Sequence, residues 1–438
     1  MTSSQVITLL VLAAVIWALI WDKARSDVVA LTGAAVLLMT GVVRPVEVQG
    51  AFASPAIIAL ASLFVIAYAM ELSGLLDAAI RRVVALCRYI GRAGLWVMIA
   101  LAGGASAFLN NTPIVVLSSP VVRDVAKTLG ESPKRYLIPL SYAAILGGCC
   151  TLIGTSTNLL VNDMASIAGQ PRFHIFEITP VGLIIALAGG LYLLLFSGRL
   201  VKTVDGGEEL RTREALEQYG EPGLAGGHIG TAAAFAEKPP LRPLKAIASL
   251  MVFVAVVALA ALDVAPIAAC AFAGAVLLIV IRVITADEAY RGLRPEVLML
   301  IAGMVVLGIA LDETGLAAQA TNFLVGGVDD LSPIIALAVI YGATLLATEI
   351  LSNATVAVLF TPVAVSMAEA MGVSPRPFLV AVMMAGSAAF ATPFGYQTNV
   401  LVYQMGGYNY LDFVKIGIPL NLITWVVGVI AITFYFPF

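Results

Sequence analysis

Asparagine and threonine side chains can donate to an anion or offer neutral oxygens to a hard cation. This chain sets them twice in the same apolar phrase, "LNNTPIVVLSSPVV" at 109–122 and "LSNATVAVLFTPVA" at 351–364. Leu109, Asn111, Val116, Leu117, Pro120 and Val121 recur as Leu351, Asn353, Val358, Leu359, Pro362 and Val363, 242 positions later. A second pair, "TLIGTSTNLL" at 151–160 and "TPFGYQTNVL" at 392–401, repeats 241 positions apart. In it Thr151, Gly154, Thr157, Asn158 and Leu160 match Thr392, Gly395, Thr398, Asn399 and Leu401. "MELSGL" at 70–75 and "LDETGL" at 311–316 share that offset. Apolar matches are cheap in such a chain. The ordered return of Asn, Thr, Gly and Pro is not, and it marks a duplicated unit.

The elements that must position these groups follow from composition. Of 438 residues, 61% are hydrophobic and only 12% charged, with mean hydropathy +1.00. A soluble domain carries about 25% charged residues, so the bilayer is the expected solvent and an all-α integral membrane protein the expected fold. Apolar windows long enough to cross about 30 Å of hydrocarbon predict spans at 7–21, 27–43, 55–74, 136–166 and 176–199, then 246–262, 265–284, 296–315, 377–406 and 412–437. Stretches 93–122 and 331–369 hold the polar phrase in their middle and read as re-entrant hairpins. Spans 136–166 and 377–406 are broken by Gly amid Thr and Asn.

The organisation is then a first repeat over 1–199, a linker at 200–245 and a second repeat over 246–438. Each repeat has five spans and one hairpin, so an odd number of crossings inverts the second relative to the first. Basic residues agree. With the N-terminus outside, 21 of the 24 Lys and Arg fall inside, leaving only Arg44, Arg172 and Arg376 outside. Both termini are expected to be periplasmic or extracellular, with 200–245 cytoplasmic, in an inner (plasma) membrane. Residues 7–21 read as a retained span, because no basic residue precedes them and no A-x-A-like site follows. The linker, rich in Gly, Pro and charge, is given a short helix near 207–219. Residues 75–92 read as an interfacial amphipathic helix.

Function classes fall away by the same reading. Cys87, Cys149, Cys150 and Cys270 lack metal-ligand spacing and read as small buried hydrophobes. His174 and His228 fall in polar connections. No basic stripe suits nucleic acid, and no nucleophile–base set or phosphate loop suggests an enzyme. What remains is polar, non-helical backbone at membrane depth, tolerated only inside protein or beside a cavity. The alternative for a single Asn is interhelical hydrogen bonding; duplication favours a site. Helix amino ends suit an anion, carbonyl ends suit sodium, and no Lys or Arg sits in the four polar elements. Proton coupling would need a buried carboxylate; Glu349 is the first candidate, then Glu71, Asp163, Asp312 and Glu313. Glu349 could equally hold its hairpin by accepting backbone N–H bonds.

At these motifs the chain resembles the divalent anion/sodium symporters, which include sodium-coupled dicarboxylate and sulfate carriers. "SNAT" at 352–355 resembles that family's Ser-Asn-Thr signature and "NNT" at 110–112 its first-half counterpart. "GGCCTLIGTSTNL" and "TPFGYQTNVLVYQMGGYNYLDFVKIGIPL" resemble its broken-helix segments. The resemblance implies an elevator carrier and a homodimer, with sodium as coupling ion and no other cofactor. It implies one sodium among Asn110, Asn111 and the backbone near Gly154, and another among Ser352, Asn353 and the backbone near Gly395. Substrate would lie between Asn111–Thr112 and Asn353–Thr355, with Thr157 and Thr398 near. "LNNTP" and "GTSTN" are closer to the sulfate carriers, which often hold a large soluble domain between halves; 200–245 is too short for one. The expectation is sodium-coupled symport of a small divalent anion, sulfate or a C4-dicarboxylate. The alternatives are a proton-coupled or efflux carrier, such as an arsenite exporter, and then a channel-like pore.

Overall fold

The computed structural model describes residues 2–21, 24–76, 78–79, 82, 91–200, 241–317, 319 and 332–438. Most of the expected interfacial helix at 75–92 and of the linker at 200–245, with Cys87 and His228, lies outside these residues. Every described regular element is a helix.

The first half runs α1 (Ser3–Trp21), α2 (Ser26–Met39), α3 (Pro45–Phe52) and α4 (Pro55–Leu72), then α5 (Arg92–Ser106), α6 (Asn111–Thr128), α7 (Lys134–Gly148), α8 (Ser156–Ile167) and α9 (Thr179–Leu200). The second runs α10 (Pro243–Ala261), α11 (Ile267–Val280), α12 (Ala286–Gly292) and α13 (Pro295–Glu313), then α14 (Pro333–Thr348), α15 (Asn353–Ala370), α16 (Arg376–Gly386), α17 (Gln397–Gly406) and α18 (Tyr410–Tyr435). The helices correspond in order, and most begin 240 to 242 residues after their counterparts. Left-handed turn residues repeat as well: Gly41 (φ 72°) with Arg282 (φ 57°), Gly74 with Gly315, and Gly130 with Gly372. Gly41 and Arg282 end helices that the apolar windows at 27–43 and 265–284 carry further, because a left-handed residue cannot continue a right-handed helix. Arg282 takes this conformation without being glycine, at a steric cost.

Among the described residues, six helical stretches are long and apolar enough to cross a membrane: Pro45–Leu72, Thr179–Gly198, Pro243–Ala261, Pro295–Glu313, Asn353–Ala370 and Tyr410–Tyr435. The last but one is α15, expected as a hairpin arm. Others, among them α1, α2, α5 and α11, are apolar but shorter. The short helices α3 and α12 were not foreseen. Each starts where chain chemistry favours it: Pro45 at the first turn of α3, and Thr285 with Glu288 forming a capping box on α12.

Packing between the halves is reciprocal. Helix α2 lies on α13, and its counterpart α11 lies on α4. Helix α6 meets α17 as α15 meets α8, and α7 meets α17 as α16 meets α8. Helices α9 and α18, which correspond, pack on each other. Such exchange is what a two-fold relation between halves produces. Close contacts rest on small residues, as in membrane helix packing. A Cβ on Gly147 in α7 would stand 1.9 Å from the Gly103 carbonyl of α5, so only glycine fits there.

Candidate substrate and ion site at the helix breaks

Each half has one turn between two packed helices and one interruption between two others. The first turn, 107–110, joins α5 to α6; the second, 349–352, joins α14 to α15. Helix α7 stops at Gly148 and α8 begins at Ser156; α16 stops at Gly386 and α17 begins at Gln397. Four helix amino ends therefore start at the polar phrases, and side chains cap three of them. Asn110 accepts from the Thr112 amide (3.1 Å), Thr155 from Thr157 (3.4 Å), and Ser352 from Thr355 (3.3 Å).

The interruptions share a frame. In the first, the Thr151 hydroxyl donates to the Ala107 carbonyl and accepts from the Gly154 amide at 3.1 Å. In the second, Thr392 donates to the Glu349 carbonyl at 3.2 Å and accepts from the Gly395 amide at 3.1 Å. Each thus ties its break to its own hairpin turn. Asn158 Nδ2 donates to the Thr151 carbonyl at 2.9 Å, as Asn399 Nδ2 does to Thr392 at 3.3 Å. Glycine is required at 154, where a Cβ would lie 2.5 Å from the Gly148 carbonyl and 2.8 Å from that of Ala107.

Of the residues singled out in the sequence, Asn111, Thr112, Thr157, Thr355 and Thr398 are buried, and Asn353 and Gly395 are half-buried. Ser352 is exposed. Asn111 is fixed at both ends of its amide: Ser106 donates to Oδ1, and Nδ2 donates to the Tyr396 hydroxyl at 2.7 Å. Thr112 Oγ1 donates to Gln397 Oε1 at 3.3 Å. The first hairpin turn is therefore joined to the second interruption. At Asn353, Oδ1 accepts from Thr348 at 2.9 Å, a bond within its own hairpin. Thr157 packs near Gly386, where a Cβ would be 3.3 Å from its methyl, so the first half's α8 start lies against the second break. Thr398 Oγ1 is 2.8 Å from Ser141 Oγ on α7. Asn110 and Ser352 act on their own turns, and no bond joins them to each other or to the opposite half among the described residues.

Several residues of the site were not anticipated in these roles. Asn158 is fully buried, and its Oδ1 has no hydrogen-bond partner. Its counterpart Asn399 has that oxygen satisfied by Ser141 at 2.7 Å. The recurrence of Asn158 in the repeat was the available signal. Ser387 Oγ, also buried, begins the second break beside the Cys149 thiol. Tyr396 and Gln397 differ from their first-half counterparts Thr155 and Ser156; that departure was the signal, and it carried no direction.

Glu349 accepts backbone N–H bonds, as one of its two readings has it. Its Oε1 accepts from the amides of Phe390 (2.9 Å) and Ala391 (2.8 Å) and from Asn421 Nδ2 (2.7 Å), while Oε2 accepts from Thr392 (2.9 Å). Its two oxygens thus take three backbone donors and one side-chain amide. It serves as an acceptor for a frayed helix end. Asp163 instead has Oδ2 buried and unpartnered, beside Arg172 at 3.9 Å, and lines a cavity of about 340 Å³ with His174 and Asp263.

These features define a class: a multi-pass helical membrane protein whose polar groups converge at interrupted helices, as in transporters. Residues 16–373 and 350–438 match the citrate transporter family, and the chain belongs to it. Relatives agree with the resemblance to divalent anion/sodium symporters. An uncharacterised transporter of Synechocystis is 26% identical over 94% of this chain and 95% of its own length. The sodium-dependent dicarboxylate transporter of Staphylococcus saprophyticus is 26% identical, covering 98% of this chain and 86% of that one. Sodium/sulfate cotransporter 1 of Chlamydomonas reinhardtii is 45% identical over 22% of this chain and 12% of its own. Among solved structures, the YdaH transporter of Alcanivorax borkumensis shares the fold, with TM-score 0.58, 15% identity, and coverage of 99% and 97%.

Proposed function

We propose that the protein is a secondary active transporter coupling sodium entry to symport of a small divalent anion, sulfate or a C4-dicarboxylate. The observation that carries this reading is the paired set of neutral donors and acceptors at four helix amino ends, with Asn158 Oδ1 buried and unpartnered beside the first break. A fully buried carbonyl oxygen without a donor is costly unless a cation approaches it. Asn158 is thus added to Asn110, Asn111 and Gly154 for one sodium, with Ser352, Asn353 and Gly395 for the other. Helix amino ends and the Asn111, Thr112, Asn353, Thr355, Thr157 and Thr398 groups hold the anion without a fixed cation. Its release is then not opposed by a full ion pair.

The reciprocal packing of the halves supports inverted repeats with broken spans at 136–166 and 377–406 and hairpins at 93–122 and 331–369. Within this plan α5–α8 and α14–α17 form a moving unit, and α1–α4 with α10–α13 a scaffold, an arrangement suited to elevator motion in a homodimer. The names of relatives, two sodium-linked carriers of sulfate and dicarboxylate, support the coupling ion and the substrate class. Uptake of labelled sulfate and succinate into proteoliposomes tests it. An inward sodium gradient is expected to drive uptake that a proton gradient alone does not. Uptake of either anion that is indifferent to sodium overturns the reading.

A further inference from the structure

The two donors that the first hairpin turn would offer an anion are already held by oxygens of this chain. Asn111 Nδ2 donates to Tyr396 Oη at 2.7 Å, and Thr112 Oγ1 donates to Gln397 Oε1 at 3.3 Å. Tyr396 and Gln397 are adjacent and come from the opposite half, 285 residues away from the turn they meet. The Tyr396 hydroxyl also meets the Thr155 side chain, so it joins three segments. Among the described residues, no bond joins the second hairpin turn to the first break. There the shorter side chains of Thr155 and Ser156 stand at the corresponding positions. Asn353 is bonded only within its own hairpin among the described residues.

We propose that Tyr396 and Gln397 are specificity-determining residues: their two oxygens act as an internal stand-in for an oxyanion and yield only to a solute offering two oxygens together. This rests on the transport reading of the site and narrows its substrate. A solute must replace two neutral hydrogen bonds at adjacent donors. Bonds to an ionised acceptor are roughly twice as strong as neutral ones, so a divalent oxyanion gains on exchange. Chloride offers a single centre, and a monocarboxylate such as formate brings half the charge. The asymmetry places selection at the first hairpin turn, while the second, unclasped turn contributes retention.

The test compares the native protein with the double variant Tyr396→Phe, Gln397→Ala. Sulfate binding to the purified full chain is measured by calorimetry in sodium, with formate and chloride as competitors. Removing the stand-in is expected to tighten sulfate binding about 2- to 10-fold, the range of one or two neutral hydrogen bonds. It is also expected to let formate compete, which it does not do in the native protein. Thermal stability of each single variant, Y396F and Q397A, checks that the fold persists. Weaker sulfate binding makes the pair direct ligands and overturns the proposal, as does unchanged affinity with selectivity intact. Tighter binding without sodium-driven uptake by the native protein leaves this inference standing and removes the symport reading. Absence of sulfate and succinate binding in both proteins overturns both.

Discussion

The two interrupted helices share a frame and differ in how it is closed. In the first, the Cys149 and Cys150 amides still bond to the carbonyls of Ile145 and Gly147, at 3.2 and 2.9 Å, so the end of α7 satisfies itself. In the second, α16 stops at Gly386, and the amides of Phe390, Ala391 and Thr392 turn to the Glu349 carboxylate. The first half has Ala107 where the second has Glu349. Duplication thus preserved the bonds between each break and its own turn, while the supports around them diverged. One half carries an unpartnered oxygen on Asn158; the other has the Glu349 carboxylate accepting the freed amides and a Ser141 partner for Asn399. A repeated set of bonds is in this way held by two unlike surroundings.

Breaking the carboxylate support should have the largest effect. Glu349→Ala leaves three backbone amides and the Asn421 amide without their acceptor, and we expect a loss of about 3 kcal/mol and of sodium-driven uptake. Thermal unfolding in detergent and uptake read the two effects; a variant that melts with the native protein would remove the asymmetry just described. Ala107→Glu in the same background is expected not to restore stability, because the Cys149 and Cys150 amides already donate to helix carbonyls.

Asparagine substitutions sharpen the comparison at smaller cost. Asn399 makes bonds to Ser141, to the Ala389 carbonyl at 2.8 Å and to Thr392, whereas Asn158 makes one, to Thr151. Asn399→Ala should therefore cost about 2–3 kcal/mol and Asn158→Ala about 1 kcal/mol. Sodium should raise the melting temperature of the native protein, and this increment should shrink in Asn158→Ala. Equal losses for the two alanine variants, with the sodium increment intact, would count against unlike sites.

The smallest expected effect is at Ser141. Its replacement by Ala leaves Asn399 Oδ1 in the state that Asn158 Oδ1 already has, at about 1 kcal/mol. Calorimetric titration with sodium then asks whether the second break gains an ion affinity resembling the first. A loss well above that of Asn399→Ala would mean that Ser141 supports more than this oxygen and the Thr398 hydroxyl.

Helix positions were largely legible because long apolar runs and Gly-Thr-Asn interruptions are local signals. Apolar windows overran α2 and α11, since Gly41 and Arg282 end them through backbone conformation, and Arg282 gives no hint of it. Helices α3 and α12 are too short to stand out in a membrane-length window. Among site residues, the hairpin and break positions followed from the repeat. Tyr396 and Gln397 did not, because their partners lie 285 residues away. Glu349 was visible as a buried-carboxylate candidate, and its partners, 41 to 43 residues on, were not.

Taken alone, the order of residues determined a membrane solvent, a duplicated unit and four polar elements, because hydropathy and repetition are properties of the chain itself. Tertiary structure decided which donors meet which acceptors. A backbone amide freed by a helix end takes whatever oxygen the fold brings within about 3 Å, and that distance depends on the packing of α14, α16 and α18 rather than on any local pattern.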